Sequence, residues 1–141
     1  MSEERTILAL DTSHPTGSVA VVRDGRPAAE ILFDASDTHS ATLMPAVDTC
    51  LRSAGTGIPD VDLFAVVAGP GSFTGLRIGL ATVKAFASIR RRPVAAVGSL
   101  ETLAAAVPFA RAPVVPLIDA RRGEVYAAAY DTAAGRPVAL I

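Results

Sequence analysis

The 141-residue chain is half hydrophobic and 19% charged, with a net charge of −1 and a pI near 6.1. That balance predicts a packed core and argues against strong unaided nucleic-acid binding, which needs a basic footprint. The single cysteine, Cys50, excludes an intrachain disulfide and a cysteine-based zinc site, and its plain reading is a small buried hydrophobe. No signal-peptide core is present, and no apolar run approaches the roughly 18 residues of a membrane span. The chain therefore reads as soluble and cytoplasmic, with no membrane partner.

Residues 6–12 (TILALDT) predict a short buried strand ending in Asp11. Residues 17–22 (GSVAVV) follow a turn containing Pro15. Asp24-Gly25 is a hairpin signal before the next run, residues 28–33. Three strands joined by tight turns predict an antiparallel meander. Leu43, Val47, Cys50, Leu51 and Ala54 then recur at helical spacing on one face. Gly55 and Gly57 end that helix, and Pro45 counts against its first turn. Residues 63–68 (LFAVVA) predict a central strand. A Gly-rich loop leads from it to a long helix over about 74–91. Residues 93–97 predict another strand, and Ser99 is a candidate N-cap for a helix over 100–107.

The order β-β-β-α-β-α-β-α predicts an α/β fold, a mixed sheet with helices on its faces. The strands at 63–68 and 94–97 are expected parallel to the first. This is the order of the ribonuclease H-like half-domain found in actin-like ATPases. The pattern then restarts. Residues 114–119 (VVPLID) read like 7–11 (ILALD), and Gly123-Glu124-Val125-Tyr126-Ala127 reads like Gly17-Ser18-Val19-Ala20-Val21. Two generic strands are the alternative to a duplication. If the repeat is real, residues 1–111 form one domain and residues 112–141 the first strands of an incomplete second copy. Its strands would be 114–119, 125–130 and 137–141, and the chain would stop mid-pattern.

The segment Gly69-Pro70-Gly71-Ser72-Phe73-Thr74-Gly75 joins a strand to a helix. Such glycines turn backbone N–H groups toward an anion or simply allow a tight corner. It is not a P-loop, because Leu76 stands where the lysine would. Ser72 lacks the GxSxG context of a hydrolase nucleophile. The two histidines, His14 and His39, form no metalloprotease motif. Asp11 is the most enzyme-like carboxylate, a strand-end position that serves either phosphate and metal or a local turn. Asp11, Thr12, Gly69, Gly71 and Ser72 are the candidate vestigial nucleotide-binding residues, and no catalytic or metal-binding residue is assigned.

In the helix over 74–91 apolar residues cover most of the circumference, while Arg77, Lys84 and Arg91 fall seven apart in one narrow stripe. A surface helix needs only about a 100° apolar arc. A second cover beyond the sheet is therefore expected, either another helix of the chain or a partner protein.

Residues 69–79 (GPGSFTGLRIG) closely resemble the signature of the TsaB (YeaZ) family. Residues 118–126 (IDARRGEVY), 8–12 and 39–45 are also similar to that family. The resemblance implies an actin-like two-domain fold and a part in placing threonylcarbamoyl on the N6 of a tRNA adenosine beside the anticodon. It implies a catalytic TsaD-like paralogue as partner and a TsaE-like ATPase reached through the assembled complex. tRNA would be contacted only indirectly, and without the paralogue a homodimer would form. The paralogue's metal histidines would fall on Ser99 and Leu103, and leucine cannot ligate a metal. A non-catalytic scaffold without a cofactor is thus expected. The class-level alternative is an ATP-binding phosphotransferase or hydrolase of the same fold. The expected partner interface comprises Leu43, Val47, Gly75, Leu76, Ile78, Gly79, Thr82, Val83 and Phe86. A bulky residue at Gly79 is expected to block pairing while sparing the fold.

Overall fold

The computed structural model describes residues 4–35 and 39–141; the side chains of His39 and Ser40 lie outside the described set. Strands β1 (Thr6–Asp11), β2 (Thr16–Arg23) and β3 (Arg26–Asp34) form an antiparallel meander. Its second hairpin, between β2 and β3, turns at Asp24-Gly25, both with positive φ (52° and 75°), as a two-residue turn matched to strand twist requires. The β2–β3 register shifts between Val21 and Val22, opposite Pro27. Proline has no amide to give the ladder, so a bulge falls there.

Helix α1 (His39–Ser53) follows, then a 3-10 turn (Ile58–Asp60), β4 (Leu63–Val67), α2 (Phe73–Arg90), β5 (Val94–Val97) and α3 (Ser99–Ala105). The five strands form one sheet in the order β3-β2-β1-β4-β5. β4 runs parallel to β1, and β5 parallel to β4. The expected element order and strand directions are therefore present. The early proline does not delay α1: Pro45 sits inside the helix, with its ring on the exposed side.

Alternation decides which face carries the core. Leu8, Leu10, Val19, Val21, Phe64 and Val66 point to one face of the sheet and are at most 2% exposed. Leu43, Val47 and Cys50 of α1 and Val83 and Ala87 of α2 pack onto that same face. Phe64 meets Phe86 with ring centroids 5.8 Å apart, and the Cys50 thiol sits 3.5 Å from the carbonyls of Val19 and Ala29. Ala9 and Ala65, register partners in β1 and β4, lie on the opposite face. There Glu101, Thr102 and Ala105 of α3 line a cavity of about 380 Å3 over them.

Past α3 come β6 (Leu117–Arg121), β7 (Glu124–Ala127), β8 (Tyr130–Asp131) and β9 (Val138–Ala139). The bridge Val114–Tyr130 and the pair Leu117–Ala127 keep one antiparallel register. The ladder lapses between them at Pro116, which has no N–H. Tyr130 then pairs with Ala139. The result is an interrupted three-strand meander, with the middle strand broken at Ala128 and Ala129 where the expected strand ran on to 130. Thr132, fully buried, ties this meander to the α3–β6 linker. Its hydroxyl donates to the Val107 carbonyl (2.7 Å) and its carbonyl accepts the Phe109 N–H (2.8 Å).

Candidate functional site

The Gly-rich corner is built on close backbone contact with the β1–β2 loop. Gly69 has φ 113°, and the Gly69–Pro70 peptide is cis. The Ser72 N–H donates to the Ser13 carbonyl at 2.8 Å, and a Cβ on Gly71 would run into that same carbonyl. Ser72 is the N-cap of α2, its hydroxyl accepting from the Gly75 N–H at 3.2 Å. Two amides of this corner, those of Ser72 and Gly75, are thus engaged by protein groups. Gly69, Gly71 and Ser72 come together, and what they hold is the corner itself.

Asp11 and Thr12 also find partners within the chain. One Asp11 carboxylate oxygen accepts from the Ser13 N–H (2.9 Å) and the Ser13 hydroxyl (2.6 Å). Asp119 accepts the N–H of Arg121 at 2.7 Å in the same two-residue turn. Thr12 is fully buried, its hydroxyl donating to the Gly75 carbonyl at 2.7 Å. Its place was legible in strand parity, since Thr6, Leu8, Leu10 and Thr12 alternate inward.

An Asp-Ser-His chain was not foreseen. The Ser13 hydroxyl also lies 2.7 Å from Nδ1 of His14. The order is wrong for a hydrolase: the serine sits between the carboxylate and the imidazole, and its proton is directed to Asp11. A nucleophile must give that proton to the base. Ser13 is also 1% exposed, closed to a substrate carbonyl. The chain of groups braces the loop.

The predicted partner residues separate into two sets. Gly75, Gly79, Val83 and Ala87 form the inward line of α2. Leu43, Val47 and Val83 are at most 2% exposed. These side chains are consumed by the chain's own core and offer nothing to a partner. Gly79 is a second correction. A Cβ there would collide with the Thr12 hydroxyl, so a bulky residue at Gly79 attacks the fold and does not spare it. Leu76, Ile78, Thr82 and Phe86 are half-buried on the flanks. The residues α2 turns to solvent include Phe73 (74% exposed), Ala81, Ala85 and Ile89 (77% exposed). Ser99 is the first residue of α3, not its cap, which is Gly98. Its N–H is held by the Gly69 carbonyl (2.8 Å) and its hydroxyl is buried without a hydrogen-bond partner. Leu103 is 42% exposed. No group of three metal-binding side chains occurs among the described residues, nor is any described helix long and apolar enough to cross a membrane.

A family model described as "TsaD: tRNA N6-adenosine threonylcarbamoyltransferase" matches residues 33–137. The chain belongs to this family. Its TsaB (YeaZ) character shows in the relatives. It is 40% identical over 126 residues to the tRNA threonylcarbamoyladenosine biosynthesis protein TsaB of Bacillus subtilis, covering 89% of this chain and 55% of that one. To the Escherichia coli protein of the same name it is 36% identical, covering 89% and 54%. The solved structure of YeaZ from Pseudomonas aeruginosa superimposes with a TM-score of 0.86 at 36% identity, covering 96% of this chain and 63% of that one. The chain thus spans about half the length of the curated TsaB relatives it matches. The fold is the actin-like, ribonuclease H-like one that the TsaB element order implied.

Proposed function

We propose that the chain serves tRNA threonylcarbamoyladenosine biosynthesis in the cytoplasm as a non-catalytic scaffold. Its outer α2 face, flanked by the exposed side of α1, binds the TsaD-like transferase. A TsaE-like ATPase joins through that assembly, and tRNA is contacted only through it. A second copy of the chain is the alternative occupant of the same face. The observation that carries this reading is the division of labour on α2. Glycines and small residues face the sheet, while Phe73, Ala81, Ala85 and Ile89 are left in solvent. Exposed apolar residues grouped on one element mark an interaction site more often than isolated ones do.

Two further observations support the absence of catalysis. The Asp11–Ser13–His14 chain is locked in a turn, and Ser99 and Leu103 offer no metal-binding pair. We read residues 112–141 as the opening strands of a second copy of the 1–111 domain, supported by the matching turns of Asp11 and Asp119. The test is tRNA modification followed by mass spectrometry, with threonylcarbamoyl-adenylate as donor. N6-threonylcarbamoyladenosine is expected with transferase and chain together and from neither protein alone. Product formed by the chain alone would make it an enzyme and end the scaffold reading.

A further inference from the structure

The sheet carries a hollow on the face turned away from α1 and α2. Ala20, Ala9, Ala65 and Ala95 are register partners on four neighbouring strands, β2, β1, β4 and β5. Alternation puts all four on that face, in one cross-strand row. The rows beside it are taller: Val22, Ile7 and Leu63 on one side, Val67 and Val97 on the other. From above, α3 sets Ala105 toward the row, while its larger Leu103 stays 42% exposed. No large side chain fills the space between, and the cavity of about 380 Å3 over Ala9 and Ala65 is what remains. Pro137, in the turn before β9, bounds it on the side of the second meander.

The walls present almost no polar surface. Water inside finds few hydrogen-bond partners there and gives way readily to an apolar group. The volume falls within the range of about 300–1,000 Å3 usual for small-molecule sites. Two polar side chains of α3 stand at the cavity, Glu101 and Thr102. The Thr102 hydroxyl is spent, donating to the Gly98 carbonyl at 2.9 Å. The exposed Glu101 carboxylate has no hydrogen bond or ion pair among the described residues. An apolar hollow with one unspent carboxylate at its rim selects both halves of a ligand. We propose that this cavity binds a small apolar amine, its hydrocarbon body over Ala9 and Ala65 and its ammonium group on Glu101. A carboxylic acid of the same shape sets like charge against Glu101, and a neutral alcohol forgoes the charge-assisted bond. A partner helix fits less well: with side chains it is about 10–12 Å across, and α3 already roofs the space. The site is separate from α2 and stands whether or not that helix binds the transferase.

The experiment titrates the full chain at neutral pH and low salt with three probes of one shape, phenylbutylamine, phenylbutanol and phenylbutyrate. Amide signals followed by nuclear magnetic resonance are the readout. The amine is expected to bind saturably, moving the signals of Ala9, Ala65, Val97 and Ala105. It should bind about tenfold tighter than the alcohol, with the acid weaker still, and the difference should shrink as salt rises. Glu101→Gln should bring amine and alcohol together while leaving the alcohol's affinity unchanged. Ala65→Leu fills the hollow from the sheet and should abolish binding of all three. Ala105→Leu fills it from α3, a second route if β4 does not accept the larger residue, and circular dichroism checks that each variant folds. Absence of saturable amine binding to wild type would overturn the inference. So would an acid that binds as tightly as the amine, an amine preference that survives Glu101→Gln, or amine binding undiminished in a folded cavity-filling variant.

Discussion

Replacing Gly79 with alanine places a methyl group on the inward line of α2, where it meets the Thr12 hydroxyl and comes within 3.6 Å of a Val66 methyl. Thr12 cannot retreat freely: it is fully buried and bonded to the Gly75 carbonyl. Overpacking a filled site costs about 1–3 kcal/mol, and displacing the Thr12 bond costs about 1 more. Against this, alanine in a helix gains about 1 kcal/mol over glycine. The expected net loss for Gly79→Ala is about 1–3 kcal/mol, read as a lower urea midpoint at unchanged slope. Removing the obstacle should remove the penalty. In the double variant Gly79→Ala/Thr12→Ala the new methyl occupies the space the hydroxyl vacates, so the double should be more stable than Gly79→Ala alone. The coupling in the cycle should exceed about 1 kcal/mol. Additivity of the two changes within about 0.5 kcal/mol would refute the claim that Gly79 exists to seat Thr12 under α2.

Thr132→Val removes the hydroxyl that holds the Val107 carbonyl and leaves that acceptor without its donor. A loss of about 1–3 kcal/mol is expected, with hydrogen exchange accelerated in residues 106–113 and 129–135 and unchanged in β1 and β4. Cys50 has its thiol pKa pushed up by burial, with the charge of Glu30 adding to it. It should react with iodoacetamide only after urea unfolds the chain. A folded-state pKa above the unfolded one contributes stability that is present below the ordinary thiol range and lost as pH rises through it. Cys50→Ala should therefore flatten the decline of stability at alkaline pH. Magnesium-ATP calorimetry is expected to show no micromolar binding, because Asp11 is committed to the Ser13 turn; such binding, lost in Asp11→Ala, would restore the ATP-using alternative.

The sheet was readable because its signals are local. Period-two alternation set β1 and β2, Asp24-Gly25 set the turn from β2 to β3, and a continuous apolar run set β4 at the centre. The inward line of α2 was misread for a physical reason. Counting apolar residues around a helix treats glycine as neutral, yet Gly75 and Gly79 are where α2 meets Thr12, just past β1. With the helix sunk that deep, Leu76, Ile78, Leu80 and Phe86 on both flanks become half-buried against the chain's own surroundings. Much of the apolar girth that suggested a partner is spent internally, and the surface left over is smaller and more basic than the sequence implied. The Asp11–Ser13–His14 chain was invisible because it depends on the loop's conformation, for which adjacency in sequence is no guide. The broken middle strand of the second meander follows from Pro116, whose missing amide was present in the sequence and not weighed.

The central claim is that the solvent face of α2 binds the transferase. The most direct measurement is sedimentation of the chain with the TsaD-like transferase of its own organism, wild type against Ala81→Trp. Ala81 is exposed at the middle of that face, so the bulky ring has solvent to occupy and the fold, checked by circular dichroism, should be unchanged. The account predicts a complex with wild type and its loss with Ala81→Trp. A folded Ala81→Trp that binds as tightly as wild type, or a wild-type chain that does not bind, would contradict it.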